Sequence, residues 1–497
     1  MRIFFRRRKA LVLASVGTLI AGCAVGPDFR TPDAPIVKEY TTERLPSETV
    51  SAPGTGGAAQ RFVADLDIPG QWWTLFRSEA LDRLIRKALH DSPTIAAAKA
   101  RLREAEENLR VRGGTVYFPS VDGDFSTVRQ KTTGASFGQP KAEANTFTLF
   151  NASVNVSYTL DIFGGNRREL EALRAQVDYQ RFQLEAAHLA LTSNIVTSAV
   201  MEAALRAQVQ VTKEIVEMLR KQLDLVRAKF ELGGASRPDV LEQRTLLAQT
   251  LATLPPLEKE LAKTRHQLAV YAGSFPGEGG IPQFRLEDLE LPVDIPVSVP
   301  SELVRRRPDI RASEELLHAA CAQVGVATAN LYPKITLTGS LGSNAVKIED
   351  LFTTGSSVWG LGAGLLQPLF HGGELTAKRS AAIAAHDQSL ALYRETVLSS
   401  FREVADTLRS LDLDAQTLRA QADAEASARE TLSSVENQFR LGSVNYLSLL
   451  VAQRQYQVAH MSLVRAQAAR FADTAALFQA LGGGWWNRDA SGEKAQE

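Results

Sequence analysis

Sulfur is scarce in this chain, with two cysteines and four methionines among 497 residues. Cys321 lies in an Ala-rich stretch and reads as a small buried residue. Cys23 closes an apolar N-terminal segment; once it is modified, no internal disulfide can form. Four methionines provide no visible relay for a soft metal. Charge of either sign is not in excess, since Lys plus Arg and Asp plus Glu both total 56. That balance gives no case for nucleic acid as a partner. The histidines (His90, His188, His266, His318, His371, His386 and His460) are scattered, with no HExxH spacing. No metal site is expected from them. GxSxG is missing. The run GLGAGL at 360–365 departs from GxGxxG and falls in a strand pattern, where glycines read as close packing. The expectation is a protein that is not an enzyme and holds no cofactor. Beyond the N-terminal segment no run of 18 apolar residues exists, so no membrane-spanning helix is expected. Proline and glycine are both absent from 167–231 and again from 374–441.

The N-terminus reads as a secretory signal. Arg6, Arg7, Arg8 and Lys9 precede the apolar ALVLASVGTLIAG, and the stretch ends in IAGC. That ending resembles the lipobox of bacterial lipoproteins, which implies cleavage before Cys23 and attachment of a lipid to it, palmitate among its acyl chains. Ala24 follows, where an Asp would favour retention at the inner membrane, so the outer membrane is expected.

The two Pro/Gly-free stretches set the architecture. Leu170, Leu173, Val177, Leu184, Leu191 and Ile195, continuing to Phe230, recur near the 3.5-residue coiled-coil period. At 1.5 Å per residue each stretch makes a helix of about 100 Å. The chain also repeats itself. FELGGASRPDVLEQR from Phe230 aligns without a gap to FRLGSVNYLSLLVAQ from Phe439. DSPTIAAAKARLREA matches RRPDIRASEELLHAA, with Pro93 against Pro308, and DIFGGN matches PLFHGGE. RRRPDI reads first as structural, a proline and an acid in a first helical turn.

Between the long helices lie strand patterns. In FNASVNVSYTLDIF, residues 150–163, apolar and polar residues alternate from Phe150 to Ile162. A strand of that length reaches roughly 40 Å. Ile335, Leu337, Gly339 and Leu341 alternate with Thr336, Thr338 and Ser340. Strands of ten or more residues, apolar on one face and polar on the other, are what an outer-membrane barrel needs. Four strands cannot close a barrel, whose minimum is about eight, so the barrel must be shared between chains.

These features place the expected boundaries. Residues 1–22 are the signal peptide and 23–60 a lipidated tether, poorly ordered where Pro, Gly, Ser and Thr crowd 31–60. The first repeat is 61–273, with strands near 118–133 and 146–162, a long helix over 167–231 and a return helix over 236–273. A Pro-rich linker occupies 274–300. The second repeat is 301–484, with strands near 333–345 and 357–370, a long helix over 374–441 and a return helix over 445–481. Residues 485–497 form a polar tail.

CAVGPDFRTP, WWTLFRSEALDRLI at 72–85, DIFGGNRREL, VPSELVRRRPDI, LGSVNYLSLLVAQR and the terminal ALGGGW together resemble the TolC-like outer-membrane efflux proteins, and most closely their NodT-type lipoprotein branch. The resemblance implies a mixed, mainly α fold. Three chains form a 12-stranded transmembrane β-barrel, four strands from each, continued by a long periplasmic coiled-coil barrel of helices. It also implies a function: the exit duct of a tripartite efflux pump, conducting drugs or other small toxic compounds. The implied partners are two further copies of the chain, a periplasmic adaptor (membrane fusion) protein, an inner-membrane pump of the resistance-nodulation-division (RND) type, and outer-membrane lipid. The alternative is the outer-membrane channel of an ABC-transporter-driven type I protein secretion system. By position, the resemblance sets the periplasmic gate at Leu447, Ser448 and Val451, where relatives often carry aspartates at the last two. An apolar gate closed by packing and dewetting follows. Gly233 and Gly442 mark the helix-tip turns, and Asp239 and Glu242 are either adaptor contacts or a solvated helix start.

Overall fold

The computed structural model describes residues 24–37, 39–64, 66–133 and 143–488. Its elements are mainly helical. The helices are α1 (Glu79–Asp91), α2 (Pro93–Tyr117), α3 (Gly165–Glu231), α4 (Arg237–Tyr271), α5 (Pro300–Arg306), α6 (Pro308–Ala329), α7 (Glu374–Arg440) and α8 (Tyr446–Ala480). The strands are β1 (Arg61–Ala64), β2 (Ser120–Thr132), β3 (Asn145–Leu160), β4 (Asp294–Val297), β5 (Lys334–Ala345) and β6 (Ser357–Leu366). α3 and α7 have 67 residues each, and α4 and α8 have 35 each. The order helix, two strands, long helix, return helix thus occurs twice. Among the described residues no helix is long and apolar enough to cross a membrane.

The chain divides into two compact units. The first comprises residues up to Pro32, Arg101–Gln180 and Ser313–Tyr393. Its centre is the antiparallel sheet β2-β3-β5-β6. β3 starts five residues before the run that announces it, at Asn145, and stops at Leu160. Asp161, which continues the alternation in sequence, has left the strand. Its carboxylate accepts the backbone N–H of Asn166 at 3.0 Å and of Arg167 at 2.9 Å. It therefore caps the start of α3, where an acid is favoured by the free amides and the helix dipole.

The second unit holds the rest, with β1 and β4 paired in parallel. The Pro-rich linker belongs to it and is pinned by one carboxylate. Glu202 of α3 is fully buried; it binds Arg206, accepts from Arg265 at 2.8 Å and accepts the Phe284 N–H at 3.0 Å. Arg265 in turn donates to the carbonyls of Ile281 and Pro282. A buried charge needs such partners, and removing one side of such a set is strongly destabilising. Arg307 of the RRRPDI motif is buried likewise. It grips Asp309 with two nitrogens at 3.0 and 2.7 Å, and also bonds Glu403 and the Ala480 carbonyl. α4 runs through Pro255 and Pro256, each of which removes a helix donor; both lie exposed.

Two expectations need correcting. The segment before Arg61 is not a loose tether. Thr49 and Gln60 are buried and exchange hydrogen bonds of 2.9 and 3.0 Å. The Gln60 side chain donates to Pro292 O and Thr474 Oγ1. Arg470 of α8 donates to Thr49 Oγ1 and Ala58 O, and to Leu411 O of α7. These tertiary bonds hold a stretch whose composition alone cannot form a core. At the other end the residues called a polar tail begin packed. Trp485 donates to Arg306 O at 2.6 Å and meets Phe182 edge to face.

Beside Arg470 lies a carboxyl pair. Burial, then a hydrogen bond and like charge from Asp414, push Asp473 up to about 7, against the pull of Arg470. A carboxyl held above its ordinary value of 3.8 contributes stability that is present at low pH and lost as pH rises through the range from about 4 to 7. Asp473→Asn removes that loss. The thermal midpoint of the variant should fall less than that of the parent between pH 5 and pH 8; equal falls contradict the assignment.

Candidate functional site

The sheet of the first unit has two unlike faces. On one, Ser120, Asp122, Asp124 and Ser126 of β2 stand opposite Ser157, Asn155, Ser153 and Asn151 of β3. The same row continues through Thr338, Ser340, Gly342 and Asn344 of β5. On β6 it ends in Gly364, Gly362 and Gly360, paired with Thr336, Thr338 and Ser340. A Cβ on Gly362 would stand 2.8 Å from Thr338 Oγ1, and one on Gly360 3.2 Å from Ser340 Oγ. The hydroxyls already occupy that space, so the glycines are close packing. The other face carries Val121 and Phe125, Val156 and Val154, Leu337 and Leu341, and Leu361 and Trp359, with Val121 opposite Val156 and Leu341 between Val154 and Trp359. All eight are solvent-exposed in the single chain. β2 and β6 are the outer strands of the sheet, each with one edge unpaired by any described strand.

The second surface is the pair of helix-to-helix turns, Gly233 and Gly442, in the other unit. Both glycines are left-handed, with φ of 79° and 77°. The Gly233 N–H reaches Phe230 O at 3.0 Å and the Gly234 N–H reaches Lys229 O at 2.7 Å. At the second turn Gly442 reaches Phe439 O at 3.2 Å and Ser443 reaches Gln438 O at 2.9 Å. This double bond closes a helix whose C′ residue has positive φ, which only glycine adopts cheaply. Each turn thrusts out a leucine, Leu232 at 86% and Leu441 at 83% exposure.

The return helices start on side-chain caps. Ser236 caps α4 with Asp239 as its reciprocal partner: the Asp239 carboxylate accepts the Ser236 N–H and hydroxyl, both at 2.7 Å. Asn445 caps α8, its Oδ1 accepting the Ser448 N–H at 3.0 Å and the Ser448 hydroxyl at 2.8 Å. Behind the caps the four helices share a buried apolar cluster, including Leu219, Val226, Leu246, Leu432, Leu449 and Leu450. One polar chain threads it. Buried Gln243 of α4 donates to Leu219 O of α3 at 3.1 Å, and Tyr446 of α8 donates to the Gln243 carbonyl oxygen. Burial, then the charges of Glu242 and Asp239, raise the Tyr446 phenol above its ordinary value. Leu447 and Val451, four residues apart on one face of α8, point the other way and are 60% and 47% exposed.

Among the described residues no three His, Cys, Asp or Glu side chains gather as metal ligands. The sequence profile of the family described as outer membrane efflux protein matches residues 84–274 and 299–483. The chain belongs to the outer membrane efflux protein family. It is 32% identical over 423 residues to the pyoverdine export outer membrane protein OpmQ of Pseudomonas aeruginosa, covering 84% of this chain and 87% of OpmQ. It is 28% identical over 473 residues to the cation efflux system protein CusC of Escherichia coli, covering 95% and 97%. The solved structure of the outer-membrane channel OprN superposes with a TM-score of 0.83 at 26% identity, covering 93% of this chain and all of that one. The long helices and strands are thus those of TolC-like outer-membrane channels.

Within this efflux protein the expected site residues lie as follows. Gly233 and Gly442 make the turns, and Leu447 and Val451 share an exposed face. Ser448 is half-buried, with its hydroxyl committed to the cap. Asp239 is committed to a cap as well, while Glu242 is exposed. Cys23 lies outside the described residues, but the chain right after it is docked in the first unit. The Val25 N–H bonds Phe163 O at 3.1 Å, Arg168 binds Asp28 at 2.6 Å, and Phe29 stacks on His318 at 4.3 Å. Gly26 lies so near Gly325 that a Cβ would come within 2.5 Å of the Gly325 Cα.

Gln243 and Tyr446 escaped the sequence reading. A signal existed: Gln243 sits three after Val240 and four before Leu247, on the apolar stripe of α4, where a polar residue in a helix seam demands a partner. Tyr446→Phe strands a buried amide oxygen and should cost about 1–3 kcal/mol. Gln243→Leu with Tyr446→Phe removes both partners, so the double variant should lose less than the two single losses combined. Thermal unfolding of all four proteins checks this; simple additivity contradicts the bond.

Proposed function

We propose that three copies of this chain close into one 12-stranded barrel in the outer membrane and act as the exit duct of a tripartite efflux pump. One observation carries the reading: a four-stranded sheet, amphipathic along its length, with open edges on β2 and β6. Backbone groups in hydrocarbon must all be paired, so both edges need strands that the described residues of this chain do not supply. Three times four gives an even-numbered barrel within the range such proteins adopt. The polar rows then face water inside and the apolar rows face lipid.

On this reading the two turns lie at the periplasmic end, where Leu232 and Leu441 offer apolar knobs to a periplasmic adaptor. An RND-type pump in the inner membrane supplies the cargo and the energy. The duct performs no chemistry and passes drugs or other small toxic compounds. OpmQ and CusC are named for export of pyoverdine and of cations. Such unlike cargoes in similar chains favour a passive duct whose cargo is set by its pump, and favour efflux over protein secretion. A lipid on Cys23 secures the chain beside the docked segment Ala24–Phe29. Asp239 serves as a helix cap first, so the adaptor contact rests on the turns themselves.

The gate is apolar. Leu447 and Val451 present one exposed stripe on α8; three such stripes around an axis pack and exclude water. Ser448, held in its cap, supports the stripe more than it lines the pore. Leu447→Asn and Val451→Asn should each raise the passive entry of antibiotics too large for porins, read as a lowered inhibitory concentration in cells whose partner pump is deleted. Unchanged sensitivity in both variants removes the gate from this face.

A further inference from the structure

The outward face of the sheet changes character along its length. Counted on β3, the apolar rows run from Leu160, beside Ile335, to Phe150, beside Thr127 and Ala345. Ten residue steps make about 33 Å of strand. At the tilt of barrel strands that is a band about 25 Å tall, the height of the lipid-facing belt of outer-membrane barrels. The next two outward pairs are Arg129 with Thr148 and Lys131 with Thr146. On the inward face the polarity inverts at the same level, where Val128 pairs with Leu149 and Gln130 with Phe147. The band thus ends at Phe150 on both counts, and two bases stand just past it, at the end away from the helices. Lys347, two residues beyond the end of β5, adds a third at that end.

Of the bases at the opposite end of this unit, Arg112 pairs with Glu169 and Arg167 with Asp161, and Lys334 stands singly at the start of β5. Arg129, Lys131 and Lys347 are exposed and have no ion-pair partner among the described residues. Unpaired cations at the rim of an apolar band fit an anion that lies in the membrane surface. In the outer leaflet of an outer membrane that anion is the phosphate of the glycolipid, lipopolysaccharide. An Arg fork suits phosphate oxygens, and Lys adds a point charge.

Resting on the barrel reading above, we propose that Arg129 and Lys131, with Lys347 beside them, form a basic collar that binds the phosphates of outer-leaflet glycolipid. The collar fixes the depth of the barrel and surrounds it with bound lipid. Glycolipid acyl chains lie along Phe125, Val154 and Leu341, and the phosphates meet the bases in the rows above Phe150.

The test is native mass spectrometry of the full-length protein titrated with bis-phosphorylated lipid A carrying its inner sugars, with the same lipid dephosphorylated, and with phosphatidylglycerol. The parent should bind the phosphorylated glycolipid about tenfold more tightly than Arg129→Gln/Lys131→Gln, the factor for losing a charge-assisted hydrogen bond. The dephosphorylated lipid should bind both proteins at the level of the double variant. Lys334→Gln, at the far end of β5, should bind like the parent. Equal affinity of parent and double variant overturns the collar, and equal affinity for phosphatidylglycerol overturns the glycolipid as its occupant. A trimer that fails these comparisons leaves the duct reading standing; a protein that never forms trimers brings down both.

Discussion

An unpaired backbone amide or carbonyl in hydrocarbon costs several kcal/mol. β2 and β6, strands of 13 and 10 residues, each leave one edge unpaired by any described strand, and exposed apolar side chains line one face of both. No side-chain adjustment relieves that cost; only another strand does. In the glycine row of β6, the Thr338 and Ser340 hydroxyls fill the space beside Gly362 and Gly360. Closure by identical copies also demands a chain that meets its neighbour in one register. The polarity inversion on edge strand β2 helps to set that register, since a slip of one residue would set Arg129 against the wrong face of the neighbouring strand.

The second unit answers a different problem: how to hold helices of 67 residues in place. Apolar seams carry most of the burial, and a few buried polar sets fix where the seams lie. Glu202 fastens the linker to α3, Arg307 joins the start of α6 to α7 and the end of α8, and Arg470 ties the N-terminal segment to α7 and α8. Each set would be costly half-made, so each specifies one arrangement. At the turns Gln243 plays the same part between α3, α4 and α8. The exposed stripe of Leu447 and Val451 is left free by this scheme because Leu449 and Leu450 take the buried side of the same helix.

Much of the fold was legible because its periods are long. Two Pro- and Gly-free stretches announced α3 and α7, and the gapless match of Phe230 to Phe439 announced the paired turns. What was not legible rests on tertiary bonds. Asp161 looks like the next polar residue of a strand, yet its carboxylate serves α3. The stretch around Thr49 has the composition of a loose linker, yet Arg470 and Gln60, distant in sequence, hold it. The start of β3 was legible to within one residue, 146 against Asn145, although the alternation inverts above the apolar band. Of the site, the turn glycines were visible from their position and chemistry. Asp239 and Ser448 were visible as polar residues near a helix start, but their commitment to caps needed the partner's geometry.

Cross-linking the open edges of β2 and β6 tests closure by three copies. In a Cys321→Ser chain, one cysteine is placed on the free edge of β6 and a second is moved residue by residue along β2, with oxidation in the intact membrane. Closure by three copies gives one productive register and a ladder on a denaturing gel that ends at three chains. A ladder that stops at two, runs past three, or never forms at any register would contradict it.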